Sequence, residues 1–171
     1  MTDLAARLAA DIDRAFPDLV EAMAGDLYSG LRRLHGDEGE DLTQEALIRA
    51  YQALKSYDRR RIEELRLRGW MWTIALNLGR NLARARARRP TPVPLADRHG
   101  TVDPEPLDAA AWDERLGHLS VDQRRAVVLR HVVGLSYREM AAATGRPETT
   151  VRTDVRRGLA RLRTVLDEEE T

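Results

Sequence analysis

The side chains best suited to contact nucleic acid lie near the end of the chain, in SYREMAAATGRPETTVRTDVRRGLARLR, residues 136–163. Six arginines follow Gly145 there, and only two carboxylates accompany them. Guanidinium groups pair with phosphates and bind guanine bidentately, and threonine can contact phosphate or the thymine methyl group. The expected DNA-contacting residues are Arg146, Glu148, Thr149, Thr150, Arg152, Thr153, Arg156 and Arg157. The alternative is a core helix whose basic face is simply solvated.

Two helices joined by a tight turn must present these side chains. Ser136 and Glu139 form a capping box that begins the first helix. Gly145 provides the positive φ that the turn needs, and Ala141 lets the two helices approach closely. The buried side of the second helix is predicted from an apolar stripe at helical spacing, namely Val151, Val155, Leu159, Leu162 and Leu166. This arrangement is typical of a DNA-binding helix-turn-helix.

The helix before this pair has its own start and stop signals. Ser120 and Gln123 form another capping box, and Gly134 suits the position just after the helix end. Pro147 suits the first turn of the last helix. The C-terminal region is therefore predicted to be a four-helix domain built around the helix-turn-helix.

A second basic region precedes it, since residues 41–89 carry twelve Lys and Arg against five acids. A long helix is predicted from about Leu67 to Arg88, with Trp70, Met71, Ile74, Leu78 and Leu82 on its apolar side. Asn77, Arg80, Asn81 and Arg84 are spaced to share one polar side. Trp72 could pack in the core or face DNA and stack on a base. Cations in the last turns of a helix also favour its dipole, so part of the basic run could simply stabilise the helix.

The first forty residues carry nine acids against four arginines. Helices are predicted over Asp3–Phe16 and Asp18–Leu34, separated by Pro17, and a third over Asp41–Tyr57. The stretch DRRRIEELRLRG after it is ambiguous between a loop and a helix start. On the third helix, one polar stripe is formed by Asp41, Gln44, Glu45 and Arg49. That stripe could bind a partner, or Glu45 and Arg49 could form a local surface ion pair.

Five of the seven prolines fall within residues 88–108, in RRPTPVPLADRHGTVDPEPLD. Proline prevents helix continuation, and this segment is acidic, so residues 90–108 are predicted to be a flexible linker between domains 1–89 and 109–171. A long ordered loop within one domain is the alternative. The zero net charge of the chain thus conceals two basic regions separated by acidic ones.

Composition limits the possible classes of protein. Aromatic residues make up 5% and charged residues 33% of the 171 positions, and no alternating β-branched run occurs, which favours an all-α fold. The absence of cysteine excludes disulfides and thiolate metal sites. The four histidines lie far apart, so no metal or other cofactor is expected. With no apolar run of about 20 residues and no signal-peptide pattern, we expect a cytoplasmic protein that has no membrane partner.

Two separated stretches resemble the extracytoplasmic-function (ECF) sigma factors, the minimal initiation factors of bacterial RNA polymerase in the sigma-70 family. One is DLTQEALIRAY followed by LRGWMWTIALNLGRNLARARARR. The other is LGHLSVDQRRAVVLRHVVGLSYREMAAATGRPETTVRTDVRRGLARLR. Together they cover most of residues 41–163, in the order of the family and with a linker between them. One motif alone would be moderately specific, whereas the pair is strongly specific.

The resemblance implies a sigma region 2 domain that binds the β′ clamp of core polymerase and the melted −10 element. It also implies a sigma region 4 domain that binds the duplex −35 element and the β flap. The residues that match the polymerase-binding helix are Asp41, Gln44, Glu45 and Arg49. Those expected at the −10 element are Arg60, Arg61, Asn77, Arg80, Asn81, Arg84 and Arg88. The resemblance implies no enzymatic activity, and it leaves an anti-sigma partner open.

Three positions depart from the family pattern: Arg146 replaces a small apolar residue, Thr149 a glycine and Asp154 a basic residue. An acid on the groove side would repel phosphate but could accept a hydrogen bond from cytosine N4. Two other functions remain open, a stand-alone helix-turn-helix transcriptional regulator and a non-DNA interaction protein. Transcription with purified core polymerase would separate all three.

Overall fold

The computed structural model of the chain describes residues 2–88 and 109–169. Every regular element in these two ranges is helical, as the composition predicts. The first range forms the N-terminal unit, with α1 Thr2–Ala10, α2 Ile12–His35, α3 Gly39–Ser56, α4 Arg59–Glu63 and α5 Leu67–Ala87. The second forms the C-terminal unit, with α6 Ala109–Gly117, α7 Val121–Val127, α8 Tyr137–Thr144 and α9 Glu148–Glu169. Arg89 and the segment predicted as a linker, residues 90–108, lie outside the described residues.

The first helix break lies at Asp11, and the prediction of a break at Pro17 is wrong. Asp11 has an extended backbone, and its carboxylate accepts a hydrogen bond from the backbone N–H of Arg14, which caps α2. Pro17 lies inside α2, which continues unbroken to His35. Local capping thus outweighs the helix-breaking tendency of a proline placed early in a long helix. The ambiguous stretch after α3 forms α4, capped by Asp58, and then leads into α5.

Trp72 lies at the centre of the N-terminal unit and is fully buried. This confirms the core alternative for Trp72 and excludes the DNA-facing one. Its indole lies against Gly30 of α2, where an added Cβ would come within 2.4 Å of the ring. Only glycine therefore lets α2 and α5 approach this closely. Met71 is also fully buried, whereas Trp70, predicted as core, is half-buried and tilts against Tyr57.

The predicted capping boxes of the C-terminal unit are both formed, at Ser120 before α7 and at Ser136 before α8. Gly145 ends α8 with φ +69°, and Gly134 has φ +77°, so both turns adopt the left-handed backbone that favours glycine. The sequence does not predict the π-helical turn over Val128–Val132 that continues α7.

The buried stripe of α9 differs from the predicted one at its C-terminal half. Leu159 is 42% exposed, so its assignment to the core is wrong. The buried positions are Val151, Val155, Gly158, Leu162 and Val165. Gly158 is required because a Cβ there would approach Val127 to 2.6 Å, and this contact brings α7 so close that it sets which side of α9 is buried.

The two units share one continuous hydrophobic core. Leu129, Val133, Leu135 and Met140 of the C-terminal unit belong to the same buried cluster as Trp72. Most of this contact is made by α8 packing on α5 and by the π-helical turn packing on α2. The predicted pair of helical domains is therefore present, with the two domains docked on each other.

Arg68 joins the units with polar contacts at the edge of this core. Its guanidinium donates to the backbone carbonyls of Val133 and Gly134, just after the π-helical turn. The same group pairs with Asp26 of α2, with a distance of 3.0 Å from Nη2 to Oδ2. A single side chain of α5 thus satisfies carbonyls of one unit and a carboxylate of the other.

Candidate nucleic-acid interface

The N-terminal half of α9 presents a polar face to solvent. Its exposed residues are Glu148, Thr149, Arg152, Arg156 and Arg157, and Thr150 and Thr153 are partly exposed. Val151 and Val155 fix this orientation because they are buried on the opposite side of the helix. The hydroxyl of Thr153 donates to the carbonyl of Thr149 at 2.9 Å, so it is engaged within the helix. Seven of the eight expected residues therefore lie together on an accessible helix face.

Arg152 is held by contacts with two neighbouring side chains. Its guanidinium lies over the ring of Tyr137, 4.5 Å from the centroid, and it pairs with Glu148 at 3.1 Å. Its side chain remains 61% exposed. Stacking reduces the number of conformations that the long side chain must lose on binding, so Arg152 is oriented before it meets a ligand.

The eighth expected residue, Arg146, is placed differently. Its Nη1 lies 2.8 Å from Asp154 and 3.1 Å from Asp122, and its side chain is 29% exposed. Asp154 is 13% exposed. The expectation of an acid on the groove side of α9 is therefore wrong, since Asp154 points toward α7 and the turn.

A second polar face runs along the outer side of α5. Its residues are Asn77, Arg80, Asn81, Arg84 and Arg88, at the spacing that the sequence predicts, and all five are exposed. The carboxamide oxygen of Asn77 accepts a hydrogen bond from Arg80. Arg86 pairs with Glu38 at the start of α3 and so helps to stabilise the fold. The α5 face thus offers amide and guanidinium groups in one line.

The cations of α4 are already partly engaged by neighbouring side chains. Arg60 pairs with Glu64 at 3.0 Å, and Arg59 pairs with Glu63 at 2.8 Å. The guanidinium of Arg61 lies 3.7 Å from the centroid of Tyr57. These contacts hold α4 in shape while Arg60 and Arg61 stay exposed.

The polar stripe of α3 is also on the surface. Asp41, Gln44 and Arg49 are exposed, and Glu45 pairs with Arg49 at 2.6 Å. The local ion pair therefore exists, yet it leaves the stripe accessible. Ile48 lies within the stripe and is 52% exposed. Sequence reasoning missed Ile48, although it stands seven residues after Asp41, at the helical spacing of the stripe.

Glu139 caps the first helix of the helix-turn-helix and lies beside Gly69 of α5. Burial alone would raise its pKa, but hydrogen bonds from the hydroxyl and backbone N–H of Ser136, with Arg68 and Arg66 nearby, hold the pKa below its ordinary value. The carboxylate is therefore ionised at neutral pH and completes the capping box of α8.

No helix within residues 2–88 and 109–169 is both long and apolar enough to cross a membrane.

Comparison with known protein families gives two matches, one in each unit. Residues 19–89 match the family "Sigma-70 region 2", and residues 109–162 match "Sigma-70, region 4". The first match contains the α3 stripe and the α5 face, and the second contains the α9 face.

Individual relatives match across both units. The chain is 35% identical over 164 residues to the ECF RNA polymerase sigma factor SigE of Mycolicibacterium smegmatis, covering 89% of this chain and 62% of that protein. It is 30% identical to the RNA polymerase sigma factor CnrH of Cupriavidus metallidurans, covering 96% of this chain and 93% of CnrH.

Solved structures agree in fold. CnrH in complex with the cytosolic domain of CnrY superposes with a TM-score of 0.74 at 28% identity, covering 98% of this chain and 97% of the other. The sigma factor RpoE of Bartonella quintana, in complex with the anti-sigma factor NepR, gives a TM-score of 0.74 at 26% identity, covering 89% and 96%. Because the relatives and both region matches agree, the chain belongs to the ECF sigma factors of the sigma-70 family, which direct bacterial RNA polymerase to promoters for transcription initiation.

Proposed function

We propose that α9 contacts the duplex −35 element through its N-terminal half. The observation that carries this proposal is the shared exposure of its polar residues beside the pre-oriented Arg152. A helix of this kind enters the major groove, where arginine can pair with guanine and the outer cations meet phosphates. The proposed contacts are Glu148, Thr149, Thr150, Arg152, Thr153, Arg156 and Arg157.

The α5 face is proposed to bind the melted −10 element. Amide and guanidinium groups in one line suit an unpaired strand, because they can contact both the backbone and exposed base edges. The proposed contacts are Asn77, Arg80, Asn81, Arg84 and Arg88, with Arg60 and Arg61 of α4 beside a flipped base. Extruding a base costs a few kcal/mol, which specific contacts on the protein must offset.

The α3 stripe is proposed to bind the β′ clamp of core polymerase. Asp41, Gln44, Glu45 and Arg49 supply polar contacts around Ile48, and an exposed apolar residue inside a polar rim is typical of an interface centre. The C-terminal unit is proposed to contact the β flap. Residues 1–89 and 109–171 thus act as separate promoter-binding domains, and residues 90–108 connect them.

Both promoter elements can be bound at once only if the units separate. The −10 and −35 elements are about 25 base pairs apart, which is roughly 85 Å of B-form DNA at about 3.4 Å per base pair. The docked units are much smaller, since a compact body of about 150 residues has a radius of gyration of about 15 Å. Fully extended, the chain between residues 88 and 109 could span at most roughly 70 Å, which allows such a separation.

The same proposal includes the cellular location of the protein, its lack of a required enzymatic activity and a further partner. A protein that acts on RNA polymerase works in the cytoplasm, and the role of an initiation factor requires no enzymatic activity of its own. An anti-sigma factor is a proposed partner, because a structural neighbour, RpoE, is bound to one.

Run-off transcription with purified core polymerase tests the function. The template library carries a randomised segment upstream of a fixed transcribed cassette, and sequencing of the RNA-producing templates identifies the promoter. We expect two enriched elements with constant spacing. A stand-alone regulator would bind duplex DNA and give no transcripts, and an interaction protein would do neither.

A further inference from the structure

Two of the departures from the family pattern meet in space. Arg146 follows the turn glycine, and Asp154 lies nearly two helical turns into α9. Nη1 of Arg146 lies 2.8 Å from Oδ2 of Asp154. Each residue is unusual for its position alone, but together they form an ion pair between the turn and the helix.

The pair is part of a larger cluster that reaches α7. Arg146 also lies 3.1 Å from Asp122, and Asp122 is 3.2 Å from Arg125. Two guanidinium groups and two carboxylates therefore balance in charge, and three of the four side chains are less than a third exposed. A balanced cluster gives little attraction to phosphate, in contrast to an exposed cation such as Arg156.

Asp154 depends on Arg146 for the compensation of its charge. Its Oδ2 is buried, and the guanidinium of Arg146 is the cation that lies against it. A buried carboxylate that loses its partner is strongly unfavourable. Because Asp154 is part of α9, any movement of α9 away from Arg146 would incur this cost, and so the two positions constrain each other.

We propose that Arg146 and Asp154 form a brace that sets the orientation of α9 against α7 and the turn. In this proposal, which rests on the proposed −35 contact of α9, Asp154 is a positioning residue. It reads no base, and Arg146 pairs with its two carboxylates rather than with DNA. The brace holds the face of Arg152 and Arg156 at one angle to the groove.

Binding of duplex DNA to the full-length chain tests the brace. The probes are duplexes enriched from a randomised pool by the unaltered protein, a scrambled duplex, and duplexes with single base-pair changes, each titrated over a series of salt concentrations. The variants are Asp154→Asn, Arg146→Met and the double variant. Arg156→Met is the matched control, because it removes an exposed cation from the same helix.

The brace predicts that either single variant lowers the preference for the enriched duplex by about tenfold, the scale of one base contact. The loss should be spread over several base pairs, and the double variant should lose no more than either single one, because the two residues act as a unit. The salt dependence should stay unchanged for these variants, whereas Arg156→Met should reduce its slope by about one.

Other results would overturn the brace. A phosphate contact would appear as a reduced salt slope in Arg146→Met with no loss of preference in Asp154→Asn. A cytosine contact would appear as relaxed preference at one base pair in Asp154→Asn alone. Unchanged binding in both variants would leave the pair without this role.

Two controls keep folding and function apart. Thermal unfolding shows whether each variant remains folded. If Arg146→Met is unfolded, the base-pair profile of the nearly isosteric Asp154→Asn is used to test the brace. If the unaltered chain enriches no duplex at all, the proposed −35 contact fails and the brace fails with it. If the unaltered chain enriches a duplex and the variants bind that duplex with the same preference, only the brace fails.

Discussion

The two units obtain their stability in different ways. Among the described residues, ten large side chains of the N-terminal unit are fully buried, against three of the C-terminal unit, Leu129, Leu135 and Met140. The separate apolar cluster of the C-terminal unit is small and consists of Leu116, Leu119, Val127, Val128 and Leu162. The C-terminal unit instead combines two capping boxes, the Arg146 cluster and a share of the core of its neighbour.

This difference indicates which unit loses more of its buried apolar surface when the two units separate. The N-terminal unit keeps most of its own core, whereas the C-terminal unit exposes part of the surface of Leu135 and Met140, which are fully buried in the docked state. Its polar contacts must then keep the shape of the α9 face. We therefore expect apolar substitutions to matter most in the first unit and polar ones most in the second.

The largest expected effect comes from Trp72→Ala. The residue is fully buried beside Gly30, and its indole N–H has no partner among the described residues, so the loss is one of packing alone. We expect a loss of about 3–5 kcal/mol in the free energy of unfolding. Urea denaturation measures it. Trp112→Ala is the matched control in the C-terminal unit, because Trp112 is 39% exposed, and it should cost at most about 0.5 kcal/mol. Equal losses would remove the contrast between the units.

An intermediate effect is expected from Arg68→Ala, which tests the docking of the units directly. The variant leaves the part-buried carbonyl of Val133 without its donor, at a cost of about 1–3 kcal/mol, and removes a longer contact to the exposed carbonyl of Gly134. Amide exchange should become faster around α8 and stay unchanged at the centre of α2. Arg88→Ala, which removes an exposed cation just after the same helix, is the control. Unchanged exchange in both variants would show that Arg68 does not hold the units together.

The smallest effect concerns pH and His35, which is packed against Gly79 at the junction of α2 and α5. Burial, with Arg125 and Arg86 nearby, lowers its pKa below the ordinary 6.5. The unfolded chain therefore binds the proton more readily, and stability should fall as pH drops below about 6.5.

Thermal unfolding at about pH 7.5 and about pH 5.5 checks this direction. His35→Gln should lose less stability between the two conditions than the unaltered chain does, since it has no imidazole to protonate. His118→Gln, at an exposed position, should behave as the unaltered chain. A pH response that is the same in all three proteins would exclude His35 as its source.

Local signals in the sequence determined much of this protein. The capping boxes at Ser120 and Ser136, the left-handed Gly145 and the polar spacing on α5 and α9 are all predictable, because each depends on residues within one or two turns of helix. The pairing of two motifs also indicates the family. Even so, the helix-breaking tendency of Pro17 predicts a break that the cap at Asp11 overrides, so two local signals can compete.

Only the tertiary structure decided which faces are buried and which charges are paired. Leu159 fits the helical stripe but is exposed, because close packing of α7 on Gly158 selects the other side of α9. Arg68 contacts carbonyls more than sixty residues away, and Asp154 faces Arg146 rather than a groove. Such contacts depend on how helices cross, which sequence periodicity does not specify. For that reason Asp154 is an anomaly in the sequence and has a partner in the fold.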